Sequence, residues 1–124
     1  MKQVVAFIRP RAVNETREAL VGAGVSGFTV RKVLGRGRGN VDFRVLHGAA
    51  EGQVEAIVRL GEGPILVAKR MVSVVVPDDL VAPVIKTIVD ANRTGNPGDG
   101  KIFVLPVAEA IRIRTGERDA EALK

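Results

Sequence analysis

The segment Arg93–Pro106, RTGNPGDGKIFVLP, crowds three glycines, an aspartate, a proline and a lysine between an apolar helical stretch and an apolar strand. Reversing the chain needs one glycine. Three of them beside Lys101 is a composition with which backbone N–H groups and an ammonium can hold phosphate. A tight turn ending in a solvated lysine uses the same residues, so composition leaves both readings open. A second basic cluster is IRIRTGE at 111–117, whose alternation puts Arg112 and Arg114 on one side of an expected strand. Neighbouring guanidiniums repel unless an anion or a carboxylate lies between them. Glu109 and Glu117 could supply the carboxylate, and beside the Lys101 loop a phosphate is the better candidate. GRGRG at 35–39 has the glycines of a dinucleotide fingerprint, but its spacing is wrong and no helix follows, so it reads as a hinge.

Other chemistry is scarce. There is no cysteine and one histidine, His47, which excludes disulfides, thiolate nucleophiles and His/Cys zinc sites. No Ser/His/Asp set or carboxylate pair is spaced for catalysis, and Asp78 and Asp79 read as helix caps, so an enzyme is not expected. Nineteen basic residues against 14 acidic ones give a net charge of +5, which favours anionic partners. Aromatics are only 3%, with no Trp or Tyr, so a surface that stacks nucleobases lacks its usual side chains and no nucleic acid is expected. The opening MKQVVAFIRP has five apolar residues in a row, too few for a secretory core, and no run approaches a membrane span. The expectation is a cytoplasmic protein without membrane insertion.

The elements that must position these residues follow from periodicity. Lys2–Arg9 reads as a buried strand closed by Pro10. Ala12–Ala23 reads as a helix with Val13, Ala19, Leu20 and Ala23 on one side, Asn14 as its cap and Gly24 as its stop. Phe28–Leu34 and Leu66–Val76 are the next strands, and a second helix runs from Asp78 or Asp79 to about Asn92, burying Leu80, Val84, Ile88 and Ala91. Ile102–Val107 and Ile111–Arg114 are the last strands. The order is the split βαβ, or ferredoxin-like, α+β pattern in a single domain of residues 1–124, with a short extra C-terminal strand. Gly37–Pro64 is a 28-residue connection, longer than compact domains carry without a function. Within it Val54, Ile57 and Val58 share one helical face, with Glu55 and Arg59 an i,i+4 pair.

MKQVVAFIRP, VVVPDDLV, TGNPGDGKIFVLPV and IRIRTGER, in this order and spacing, resemble the PII signal-transduction proteins over residues 1–38 and about 65–118. The resemblance implies a ferredoxin-like trimer that binds ATP or ADP between subunits and reports energy and nitrogen status through a long T-loop, here about 37–64. It implies a B-loop at about 93–101, with Gly98, Asp99, Gly100 and Lys101 around the phosphates and Thr94 at its opening. Within the C-terminal loop at 112–124, Arg112 and Arg114 would reach the nucleotide from the neighbouring subunit. It places Thr29, Gly35, Gly37, Arg38 and Val75 at the adenosine and phosphates, and Lys69 at 2-oxoglutarate. Mg²⁺ would be held through the nucleotide rather than by side chains. Gly39 departs from the family's glutamine, which helps hold Mg²⁺ and 2-oxoglutarate. The T-loop tyrosine is also missing, which excludes its modification. AKRMVSVVVPDD and ANRTGN are most similar to the longer-looped member of the nitrogenase-associated pair. That branch implies a homotrimer or a mixed assembly with a paralogue, and dinitrogenase as the target; from the residues themselves, the apolar face of Val54, Ile57 and Val58 would be what anchors the loop on a protein partner. Another PII target such as an ammonium transporter, a ferredoxin-like RNA-binding module and a small-molecule enzyme are the alternatives.

Overall fold

The computed structural model describes residues 1–36 and 66–124. The chain divides into two compact units, Met1–Val33 with Lys69–Lys124, and Leu34–Ala68. Strand β1 (Lys2–Ile8) alternates strictly, burying Val4, Ala6 and Ile8. Pro10 then opens a 3-10 turn, Pro10–Ala12, that runs directly into helix α1 (Val13–Gly22). Ala12 is already helical at the N-cap position, so Asn14 lies inside the helix and does not cap it. The helix stops where expected. Gly24 takes φ +87°, and the Val25 amide returns to the Leu20 carbonyl at 3.1 Å, a left-handed C-terminal closure.

Strands β2 (Thr29–Gly35) and β3 (Val67–Val76) follow, then helix α2 (Asp78–Asn92) and strand β4 (Lys101–Pro106). Neither aspartate caps α2. Pro77 occupies the N-cap, and Asp78 instead accepts from the Met1 ammonium at 2.9 Å and Lys2 Nζ at 3.1 Å. The sheet order is β2-β3-β1-β4, with β1 antiparallel to both neighbours, which is the ferredoxin-like α+β arrangement.

One face of the sheet carries the helices. Val4, Ala6 and Ile8 of β1 and Val72, Val74 and Val76 of β3 join Leu20 of α1 and Val84 and Ile88 of α2 in one core. Ala23 is exposed, and the place on α1 that periodicity missed is Thr16, buried although polar. Its hydroxyl donates to the Ala12 carbonyl at 2.8 Å and accepts from the Asn92 amide at 2.9 Å, so it ties α1 to the end of α2. The opposite face is open. It presents Val5 and Phe7 beside Phe103 and Leu105, which are 50% and 42% exposed, with the two phenyl rings edge to face at 6.1 Å.

Ile111–Arg114 is not a strand. Only an isolated bridge, Ile111 to Arg118, forms there, because the chain turns back at once: Gly116 takes φ +75° and its amide reaches the Arg112 carbonyl at 2.7 Å. The alternation of Ile and Arg imitated a strand period in what is a tight hairpin, and it leaves Ile113 99% exposed. Among the described residues no helix is long and apolar enough to cross a membrane.

Candidate functional site

The loop after α2 is organised by Asp99. Its Oδ2 accepts the Thr94 and Gly95 amides at 2.8 and 2.9 Å, and its Oδ1 accepts the Thr94 hydroxyl and Arg9 Nη1, the latter at 2.8 Å. The Thr94 hydroxyl and amide, followed by Arg9, hold the Asp99 carboxyl well below the usual carboxylate range. A carboxylate with four donors on it faces its own loop, so Asp99 shapes the loop rather than contacting an anion. Gly95, Gly98 and Gly100 all take positive φ, and a Cβ on Gly100 would lie 1.9 Å from the Phe7 carbonyl oxygen. The loop is pressed against the sheet backbone, a close approach that only glycine permits.

Lys69 reaches this loop from the start of β3, donating to the Gly98 carbonyl at 2.9 Å. Burial lowers its pKa, Arg9 pushes the same way and Asp99 opposes them. Lys101 begins β4 and is exposed, bordering a cleft of about 320 Å³ with an apolar floor that includes Ile85, Ile88 and Ile102 and with Arg93 also on its lining. The glycine-rich turn thus has two lysines beside it, Lys69 on its Gly98 carbonyl and Lys101 at its exit, and backbone amides next to an ammonium are groups of the kind that can hold phosphate oxygens.

A second cleft, also about 320 Å³, lies at the other end of β3. Thr29 and Val75 line it together with Ser26 and Leu123. Val75 lies six strand steps beyond Lys69, about 20 Å at 3.3 Å per residue. The C-terminal segment folds over this second end. Arg112 donates to Glu117 Oε1 at 2.6 Å and to the carbonyls of Glu121 and Lys124, and the Ser26 hydroxyl donates to the Leu123 carbonyl at 3.3 Å. The Thr115 hydroxyl, helped by Arg112 and opposed by burial, lowers the Glu117 pKa. Of the two carboxylates weighed against a phosphate for the arginine pair, Glu117 is the one that pairs with Arg112. Among the described residues Arg114 has no such partner.

The model of the nitrogen regulatory protein P-II family matches residues 1–117. The chain belongs to the P-II family. It is 40% identical over 129 residues to the nitrogen fixation nifHD region GlnB-like protein 2 of Methanobacterium ivanovii, covering 99% of each chain. The protein of the same description from Methanothermobacter marburgensis is 40% identical over 127 residues, covering 99% of this chain and 100% of the relative. Nitrogen regulatory protein P-II 1 of Escherichia coli K12 stands beside them at 41% over 123 residues, with 99% and 100% covered.

Of the positions that the PII resemblance singles out, Lys69, Thr94, Gly98, Asp99, Gly100 and Lys101 come together at one end of the sheet. Thr29, Val75 and the C-terminal segment that holds Arg112 gather at the other. Gly35 ends β2 and belongs to the second compact unit. Gly37, Arg38 and Gly39, and with them Val54, Ile57 and Val58, lie outside the described residues. Sequence reasoning missed Arg9. A basic residue between a strand and Pro10 reads only as the strand's end, and register, not spacing, brings it to Asp99.

Proposed function

We propose that the protein is a nitrogen-regulatory PII signal transducer that senses ATP and ADP at a site assembled between copies of itself and has no chemistry of its own. The observation that carries this reading is the loop at Gly98–Lys101: positive-φ glycines held open by Asp99, with two lysines alongside. The residues present suit a nucleotide. Asp99 is turned into its loop, Gly98 carries no side chain on the side that faces Arg9 and Lys69, and Lys101 is exposed. The phosphate loop and the Thr29–Val75 cleft lie at opposite ends of one sheet, so a second copy bringing its own Thr29, Val75, Arg112 and Arg114 would complete the site. PII proteins form trimers, and the open face of Val5, Phe7, Phe103 and Leu105 is an apolar surface suited to such contact. Titration calorimetry tests the site. Lys101→Ala should weaken ATP about ten-fold or more, the loss of one charge-assisted contact of roughly 1.5–3 kcal/mol. Undiminished affinity refutes the assignment.

2-Oxoglutarate would use Lys69 once the nucleotide and Mg²⁺ are bound. Among the described residues no three carboxylate, His or Cys side chains gather, so the metal would rely on phosphate oxygens. Neutralising those phosphates makes room for a dicarboxylate, so the two ligands should bind cooperatively. Equal 2-oxoglutarate affinity with and without MgATP defeats this part.

The relatives described by a nitrogen fixation region favour dinitrogenase as the target, gripped through the 37–64 loop with Val54, Ile57 and Val58 as anchors. Deleting residues 50–62 should abolish dinitrogenase capture while ATP binding persists, and retained capture overturns it. The 41% identity to a P-II protein of E. coli favours a second reading, regulation of another PII target, which the same deletion would separate.

A further inference from the structure

We propose that Arg9 is a positioning residue for the phosphate loop, holding Gly98–Gly100 in the shape that receives an anion; the anion-binding half of this rests on the nucleotide reading above. The sheet register explains why Arg9 is there. Ile8 of β1 pairs with Arg70 of β3, and Phe7 pairs with Lys101 of β4. Continuing both ladders past their last pairs puts Arg9 across from Lys69 on one side and from Asp99 on the other. Arg9 is therefore the central member of a three-residue row, cation, cation and anion, that closes the polar end of the open face.

Its guanidinium uses two arms on the loop. Nη1 donates to Asp99 Oδ1 at 2.8 Å, and Nη2 donates to the Pro97 carbonyl at 3.0 Å, so the contacts bracket Gly98. The pair is well sheltered, with the two side chains 18% and 25% exposed. Gly98 itself is hemmed in: a Cβ there would lie 3.2 Å from Arg9 Nη2 and 3.7 Å from Lys69 Nζ. Asp99 Oδ2 holds the front of the loop through Thr94 and Gly95, while Arg9 secures the back through Pro97 and Oδ1. Without Arg9 the front should keep its shape and the back lose it. A planar two-armed donor is needed, because an ammonium cannot make both contacts in fixed geometry.

Two measurements on the full chain test this. In amide ¹H–¹⁵N spectra of the nucleotide-free protein, Arg9→Ala should move the Gly98 and Gly100 resonances and leave those of Thr94 and Gly95 in place. In calorimetry the same variant should bind ATP about ten-fold more weakly, although Arg9 is not assigned a contact to it. Arg9→Lys, which keeps the charge and can still reach Asp99, should recover part of the affinity and part of the spectral shift. It also serves as the test if Arg9→Ala does not fold. Loop resonances that stay put in both variants overturn the proposal, whatever happens to ATP. So does a loss of affinity without any movement of the loop, which would make Arg9 a direct ligand. If the parent binds no ATP, the nucleotide reading falls and the resonances alone decide the role of Arg9.

Discussion

Gly100→Ala isolates how strongly the candidate loop is joined to the sheet. Two separate costs fall on the new methyl group. At φ +110° an L-residue is strained, a penalty of roughly 1–3 kcal/mol. The Cβ would also lie 1.9 Å from the Phe7 carbonyl oxygen and 3.0 Å from its carbon, so main chain must shift, costing roughly a further 1–3 kcal/mol. The sum, about 2–6 kcal/mol, is a large share of the 5–15 kcal/mol that holds a domain together. Gly95→Ala is the control. It has φ +85° but nothing within 4 Å of its Cβ, so it meets only the strain. Thermal melts at matched protein concentration should place Gly100→Ala below Gly95→Ala by about 4–12 °C, taking roughly 4 °C per kcal/mol for a chain of this size. Equal midpoints would show that the loop swings away freely and that its contact with β1 is not structural.

Asp99→Asn should flatten the acid limb of the stability curve. The folded-state pKa is depressed, so the stabilisation is complete above the unfolded value near 4 and is lost as pH falls toward the folded value; midpoints measured from pH 5 downward should fall less steeply in the variant. Thr16→Val removes the hydroxyl that accepts from the buried Asn92 amide and should cost about 1–3 kcal/mol in urea titrations, read as a lower midpoint. Phe103→Glu places a charge at the middle of the open apolar face and should shift light-scattering mass from the proposed trimer toward monomer; an unchanged mass moves the contact elsewhere.

Most of the scaffold was legible because its residues obey a period. Val4, Ala6 and Ile8 alternate as a half-buried strand must, and Val84 and Ile88 repeat as a helix face must. Caps were less legible, since Asn14 and Asp78 are good capping types displaced by backbone: the helical approach through Pro10–Ala12 in one case and the extended Pro77 in the other. The C-terminal pair was read in the wrong frame, because Ile111 and Ile113 alternate with arginines on a hairpin whose turn is set by Gly116. At the site, the glycines and the lysine marked the loop on which the proposed nucleotide site is built. Asp99 as the loop's internal organiser did not appear, because composition does not say which of its own amides a carboxylate turns to, and Arg9 as its buttress did not, because that contact needs strands distant in sequence to meet in register.

The hold of the C-terminal segment on Arg112 turns binding at its Nη2 into an exchange. Both hydrogens of Nη2 are already spent on the carbonyls of Glu121 and Lys124, so an incoming oxygen gains only the difference between itself and a main-chain acceptor. The same segment sends Leu123 into the cleft of Thr29 and Val75, so a single displacement would uncover both places together. Residues 121–124 thereby become a reporter: a dye or a protease site placed there should register occupancy of Arg112 without touching the phosphate loop at the far end of the sheet.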